Sequence, residues 1–111
     1  IQVKVKIGSY TLLLCGDCSY PAIEDIVRDY DAVQLPHHGK KVQAEKIFDA
    51  KSDQINTIYI ISDNTGNTNG GSNKLDTTGY RVYNTKLTDN IILNSSSFSF
   101  NSIRTGQYLG V

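Results

Sequence analysis

An excess of charge of either sign is missing from this sequence. Eleven basic side chains offset eleven acidic ones, and charged residues make up only 20% of the chain. The balance excludes the strongly basic footprint of a dedicated nucleic-acid binder, although a local patch on one face remains compatible with it. Long apolar runs are missing too. The longest hydrophobic stretches have the width of one strand, so no segment reads as a membrane span, and no secretory leader is visible. The chain opens directly on IQVKVKI, which is the pattern expected if a leader or a whole upstream region has been removed. Cysteine is scarce: Cys15 and Cys18 are the only two. A pair so close in sequence cannot staple distant parts of the chain. Histidine is equally scarce, with only His37 and His38.

What is present is enough for a modest core. The 111 residues, 39% of them hydrophobic, fit one domain or a piece of a larger one. Residues 2–7 alternate polar and apolar, as a half-buried strand does, and Gly8-Ser9 reads as a hairpin turn into the strand YTLLLC, residues 10–15. A short helix is expected over residues 20–30. Pro21 suits its first turn, Glu24 and Asp25 suit its dipole, and Ile23, Ile26, Val27 and Tyr30 make one apolar face. Ala32 to Leu35 reads as a strand stopped by Pro36, with His37, His38 and Gly39 in the loop beyond. Residues 41–51 read as a helix with Val42, Ile47 and Phe48 inward. Ile55 to Ile61 is the strongest buried-strand signal.

The polar loop SDNTGNTNGG follows and is long for a connector. A helical turn over 73–78, a strand over 80–83, a turn region over 84–89 and strands over 91–93 and 95–100 complete the reading. The order gives a mixed sheet covered by helices on at least one face, an α/β layered arrangement. Sites in such sheets form beyond the C-terminal ends of strands. Asp17 and the His37-His38 pair both fall there.

The stretch Cys15-Gly16-Asp17-Cys18 admits several chemistries. A redox pair needs its thiols at a helix N-terminus, and the strand-then-helix order is loosely compatible. Against it, Cys15 continues a buried strand, where cysteine is an ordinary core residue. A zinc knuckle would need His37 and His38 as its other two ligands, but adjacent side chains on an extended backbone diverge. A third reading makes Asp17 the working residue. Gly16 would let the backbone turn and bring the carboxylate inward, where it needs a cation or several donors. The plain alternative is an Asp capping the strand-to-helix turn.

The combination of LLLCGD, a helix and DAVQLPHHGK resembles the C-terminal half of the metallo-beta-lactamase-fold hydrolases. The similarity is to the branch containing the DNA-internalisation competence proteins and the phosphorylcholine esterases. It spans residues 3–93, since the strand around IYII, the loop at Ser62-Asp63-Asn64 and GYRVYNTKLTDNIIL also resemble the family's ending. The resemblance implies half of an αββα sandwich over residues 1–111. It implies that Asp17 bridges two metal ions, usually zinc, that His38 is a ligand of the second metal, and that His37 is catalytic, contacting a phosphoryl group. It implies metal-dependent hydrolysis, with a phosphoester as the expected substrate. Cys15 and Cys18 become bystanders.

The sequence departs from the family at three points. The H-x-H-x-D-H motif, which supplies most ligands, is absent; Lys40 replaces a serine; and GNTNGGSN replaces a segment with His-Pro. The expectation is therefore a piece of a longer or split protein, inefficient as a catalyst alone. Its partner would be the missing N-terminal half or a second copy of the chain, because an isolated half exposes an apolar sheet face. The alternative is a non-catalytic module that keeps the half-fold for association. The Ser- and Asn-rich NSSSFSFNS suits a self-pairing edge.

Overall fold

The structure is a computed structural model that describes residues 2–54, 56–63, 72, 75–85, 91 and 93. Strand β1 (Val3–Ile7) pairs antiparallel with β2 (Tyr10–Leu14), from Val3 opposite Leu14 to Ile7 opposite Tyr10 across the two-residue Gly8-Ser9 turn. Strands β3 (Ala32–Gln34), β4 (Ile58–Ile61) and β5 (Arg81–Asn84) then add in chain order, each parallel to the one before. One helix, α1 (Lys41–Ala50), connects β3 to β4. The mixed sheet expected from the sequence is thus present.

The register divides the side chains between two faces, because successive residues of a strand point to opposite sides. Leu13, Val33 and Tyr59 share one face. There they pack with Cys15, Leu35 and Ile61 and with the buried side chains of α1 and of the segment before β3. This is the main core. Leu12, Ala32 and Ile58 share the opposite face and form a smaller cluster, flanked by half-buried Leu14, Ile60 and Tyr83.

The single helix expected over 20–30 is instead two short 3-10 turns, Tyr20–Ala22 and Val27–Asp29. Ile23 (φ −126°, ψ 0°) and Ile26 (φ −121°, ψ −17°) leave helical geometry, so the ladder breaks twice. Two long-range side chains satisfy the carbonyls at the end of this segment. Lys51 Nζ donates to the carbonyls of Val27 (3.1 Å) and Tyr30 (2.8 Å), and Gln54 Nε2 donates to that of Arg28 (3.1 Å). These are carbonyls at the end of the segment, which a helix over 20–30 would also leave without an intrahelical partner. Ile23 and Val27 remain buried, so the apolar positions were right while the element was not.

In α1 the inward residues are Ala44, Ile47 and Phe48. Val42, expected inward, is 54% exposed, because the buried stripe runs 44, 47, 48 and 51 and leaves position 42 off it. Strand β4 begins at Ile58 rather than at residue 55, which lies outside the described residues. Leu75, Asp76 and Thr77 are not helical, and β5 ends one residue later than expected. Ile91 and Leu93 lie in no strand, yet both pack against the second sheet face. The expected features at 64–71, 86–90 and 95–100 lie outside the described residues.

Candidate functional site

Three loops meet at the C-terminal end of the parallel strands. The first leaves β2 through Cys15, which is buried, and reverses direction at once. Cys18 N–H donates to Cys15 O (3.1 Å), and Gly16 takes φ +57°, a conformation glycine adopts without steric cost. Asp17 therefore sits at the tip of the turn with its side chain 81% exposed. The expected inward carboxylate is not what the turn produces: a tight reversal beyond the last sheet residue aims its tip at solvent.

The second loop follows β3. His37 (φ 53°), His38 (φ 58°) and Gly39 (φ 80°) are consecutive left-handed residues. Each non-glycine residue in that region costs roughly 1–2 kcal/mol, so the surroundings must hold them. His37 N–H donates to Gly16 O (2.9 Å), tying this loop to the first. Gly39 N–H donates to Pro36 O (3.1 Å) and Lys40 N–H to His37 O (3.2 Å), closing two successive turns. A Cβ on Gly39 would lie 3.1 Å from Ile61 and from Ser72, so the backbone presses against the third loop.

This geometry separates the two imidazoles. His37 faces Asp17, with Nδ1 3.8 Å from Oδ1, too long for a hydrogen bond but an ion pair whenever the ring is protonated. His38 instead places Nδ1 2.6 Å from the carbonyl oxygen of Ser62, just past β4. A carbonyl only accepts, so Nδ1 carries the proton and Nε2 of the neutral ring keeps its lone pair. Side-chain divergence, anticipated from an extended backbone, here arises from a left-handed one.

Beside Ser62 lies a residue that the sequence marked only as part of a polar loop. Asp63 is fully buried and accepts from Ser72 N–H (3.0 Å) and Ser72 Oγ (2.8 Å). Thr85 Oγ1 accepts from Asp63 N–H (3.1 Å), and Asn84 Nδ2 donates to Ser72 Oγ (2.9 Å). The network fixes the strand end that holds His38. Its sequence signal was an acidic residue directly after a buried strand, the same signal that singled out Asp17.

Burial, and then the neighbouring Cys18, push the Cys15 thiol up to about 12. Cys15, Cys18, His37 and His38 do not assemble into one cluster, and no group of three or more metal-ligating side chains stands together among the described residues. Asp17, His37 and His38 thus offer donors to a cation but not a complete cage. At the other end of the sheet a cleft of about 470 Å³ is lined by Tyr10, Arg28, Asp31 and Asp53 among others. Its cation is committed, because Arg28 grips Asp53 through two bonds of 2.8 and 3.0 Å and holds that carboxyl below its usual range.

No family model, curated protein or solved structure matches this chain. Among the described residues no helix is long and apolar enough to cross a membrane.

Proposed function

We propose that this chain is the C-terminal half of a metallo-beta-lactamase-like, metal-dependent hydrolase, with a phosphoester as substrate. The observation that carries the reading is the His38 ring. A histidine that ligates a metal characteristically donates its other ring nitrogen to a carbonyl or carboxylate, which fixes the tautomer and aims the ligating lone pair. The Nδ1 bond to Ser62 O leaves Nε2 for that use. Asp17, on the neighbouring loop, presents a carboxylate that is exposed at the tip of its turn. Imidazole nitrogen and carboxylate oxygen suit zinc.

Asp17 and His38 fit part of such a site, and the remaining ligands would come from outside the described residues. The zinc ions would supply charge neutralisation at the phosphoryl oxygens and an activated water. His37, held by its backbone bond to the Asp17 turn, would orient one phosphoryl oxygen and donate a proton to it as charge develops. In the intact gene product, Asp17→Asn and His38→Ala should each lose bound metal and phosphodiesterase activity together. His37→Ala should lower turnover about 10²-fold or more with metal retained. Equal metal loss in all three variants, or full activity in Asp17→Asn, contradicts the assignment.

A second reading, a non-catalytic association module, draws on the sheet's other face. Leu14, Ile60 and Tyr83 there are only half covered. An upstream H-x-H-x-D-H motif in the gene product favours the hydrolase, and its absence favours the module.

A further inference from the structure

The hydrolase reading leaves the Cys15-Gly16-Asp17-Cys18 turn without a use for its sulfurs. We propose that Cys15 and Cys18 are a reversible redox pair that closes to a disulfide across the turn by exchange with a low-molecular-weight disulfide of the glutathione class. The inference stands apart from the hydrolase reading.

Three observations carry it. The Cys18 N–H to Cys15 O bond closes a four-residue turn, so the two Cα atoms lie within about 7 Å. That separation overlaps the roughly 4.4–6.8 Å a disulfide spans. Both side chains pack into the same apolar cluster, so they lie on the same side of the turn. Neither thiol is engaged in a disulfide, so both are free to pair. Many i, i+3 pairs satisfy only the first of these conditions.

Unequal access sets the order of events. Cys18 is half-exposed and Cys15 fully buried, so an external disulfide meets Cys18 first. The Cys18 sulfur, having given its proton to solvent, attacks one sulfur of oxidised glutathione, and one glutathione thiolate leaves. A mixed disulfide on Cys18 results. The Cys15 sulfur then attacks Cys18 Sγ, and the second glutathione thiolate leaves. Two protons pass from the protein thiols to the two leaving thiolates by way of solvent. Two electrons pass to glutathione, and one intramolecular disulfide remains. The closed ring contains Gly16 and Asp17, and Gly16 O holds the His37 loop. Oxidation therefore clamps the turn that joins the two loops.

The test equilibrates the reduced full chain, with chelator present, over a series of reduced-to-oxidised glutathione ratios. Samples are acid-quenched, alkylated and weighed intact. The expected product loses two hydrogens, about 2 Da, takes up no alkylating reagent and stays monomeric. Cys15→Ser should stop at one glutathione adduct on Cys18. Cys18→Ser should leave Cys15 reduced while its circular dichroism matches the wild type, and Cys18→Ala serves if the serine variant does not fold. Wild-type chain that stays dithiol at the most oxidising ratio, accumulates the mixed disulfide or forms disulfide-linked dimers overturns the proposal.

Discussion

Lys51 shows how one buried side chain can hold the end of an irregular segment. Lys51 is buried just past the end of α1, and its Nζ bonds Val27 O, Tyr30 O and Gln54 Oε1. Burial, and then the charge of Arg28, lower its pKa to about 8 from an ordinary 10.5. The charged form is thus disfavoured by folding. Below pH 8 both folded and unfolded chains carry the proton, and the cost is fully present. Between pH 8 and 10.5 the unfolded chain binds more protons, so stability rises with pH. Cys15 acts in the opposite sense. Its thiol is raised from 9.0 to about 12, so its contribution is intact below pH 9 and is lost as pH climbs from there toward 12. Tyr59, raised by burial, adds to that loss above its ordinary 10.0. The interval from pH 8 to 9 therefore isolates Lys51. Urea melts should show a gain of at most about 1 kcal/mol across it, trimmed by water in the cleft beside Arg28 and Gln54. The gain should vanish in Lys51→Met, and a gain that persists in that variant would contradict the assignment.

Gly39 is the other residue whose identity the backbone dictates. An alanine there would keep a left-handed φ of 80° and press its Cβ to 3.1 Å from Ile61 and Ser72. Gly39→Ala should cost about 1–3 kcal/mol in chemical unfolding and move the His38 imidazole resonances. An unchanged midpoint with unchanged histidine shifts would mean the loop is less constrained than its contacts indicate.

At the scale of elements, the segment before β3 is held by two apolar plugs rather than by helical propensity. Ile23 and Val27 are both fully buried in the main core. Ile23→Ala should lose about 2–4 kcal/mol, as deletion of a buried aliphatic side chain does, whereas a helix-favouring change such as Glu24→Ala should do little. A stabilising effect of Glu24→Ala comparable to the loss at Ile23 would restore the continuous helix.

That contrast explains what could be read from the sequence. The β1–β2 hairpin was legible because Val3, Val5 and Ile7 alternate with lysines and a Gly-Ser turn separates the strands. The β3 and β4 cores were legible as short apolar runs. The Ile23, Ile26, Val27 and Tyr30 spacing fitted a helix equally well, and nothing local revealed that Lys51 would bond the carbonyls between them. At the site, the strand ends marked Asp17, His37 and His38. Neither the exposure of Asp17 nor the bond from His38 to Ser62 was legible, since both depend on positive φ values and on a strand that comes later in the chain.

Among the described residues, the sheet has one well-covered face and one face whose Leu14, Ile60 and Tyr83 are half-buried. The first face buries Leu13, Val33 and Tyr59 under α1 and the two 3-10 turns. Phe48, Tyr59 and Tyr80 add an aromatic cluster, with Phe48 stacked on Tyr80 at 4.1 Å and edge-on to Tyr59 at 4.8 Å. The second face leaves Leu14 and Ile60 half-exposed beside the loops that carry Asp17 and His38. A partner half laid on that face would stand next to the donors it has to complete. On the proposed hydrolase reading, the site is completed when a partner covers the second face.

The decisive measurement is the zinc-to-protein ratio of the natively purified gene product, taken together with its mass under denaturing conditions. A split or cleaved hydrolase predicts about two zinc ions and a companion segment or chain that carries the remaining ligands. A 12.3 kDa species alone, without metal and without gain of metal on adding zinc, would contradict the hydrolase and leave Asp17 and His38 as an unused corner of the fold.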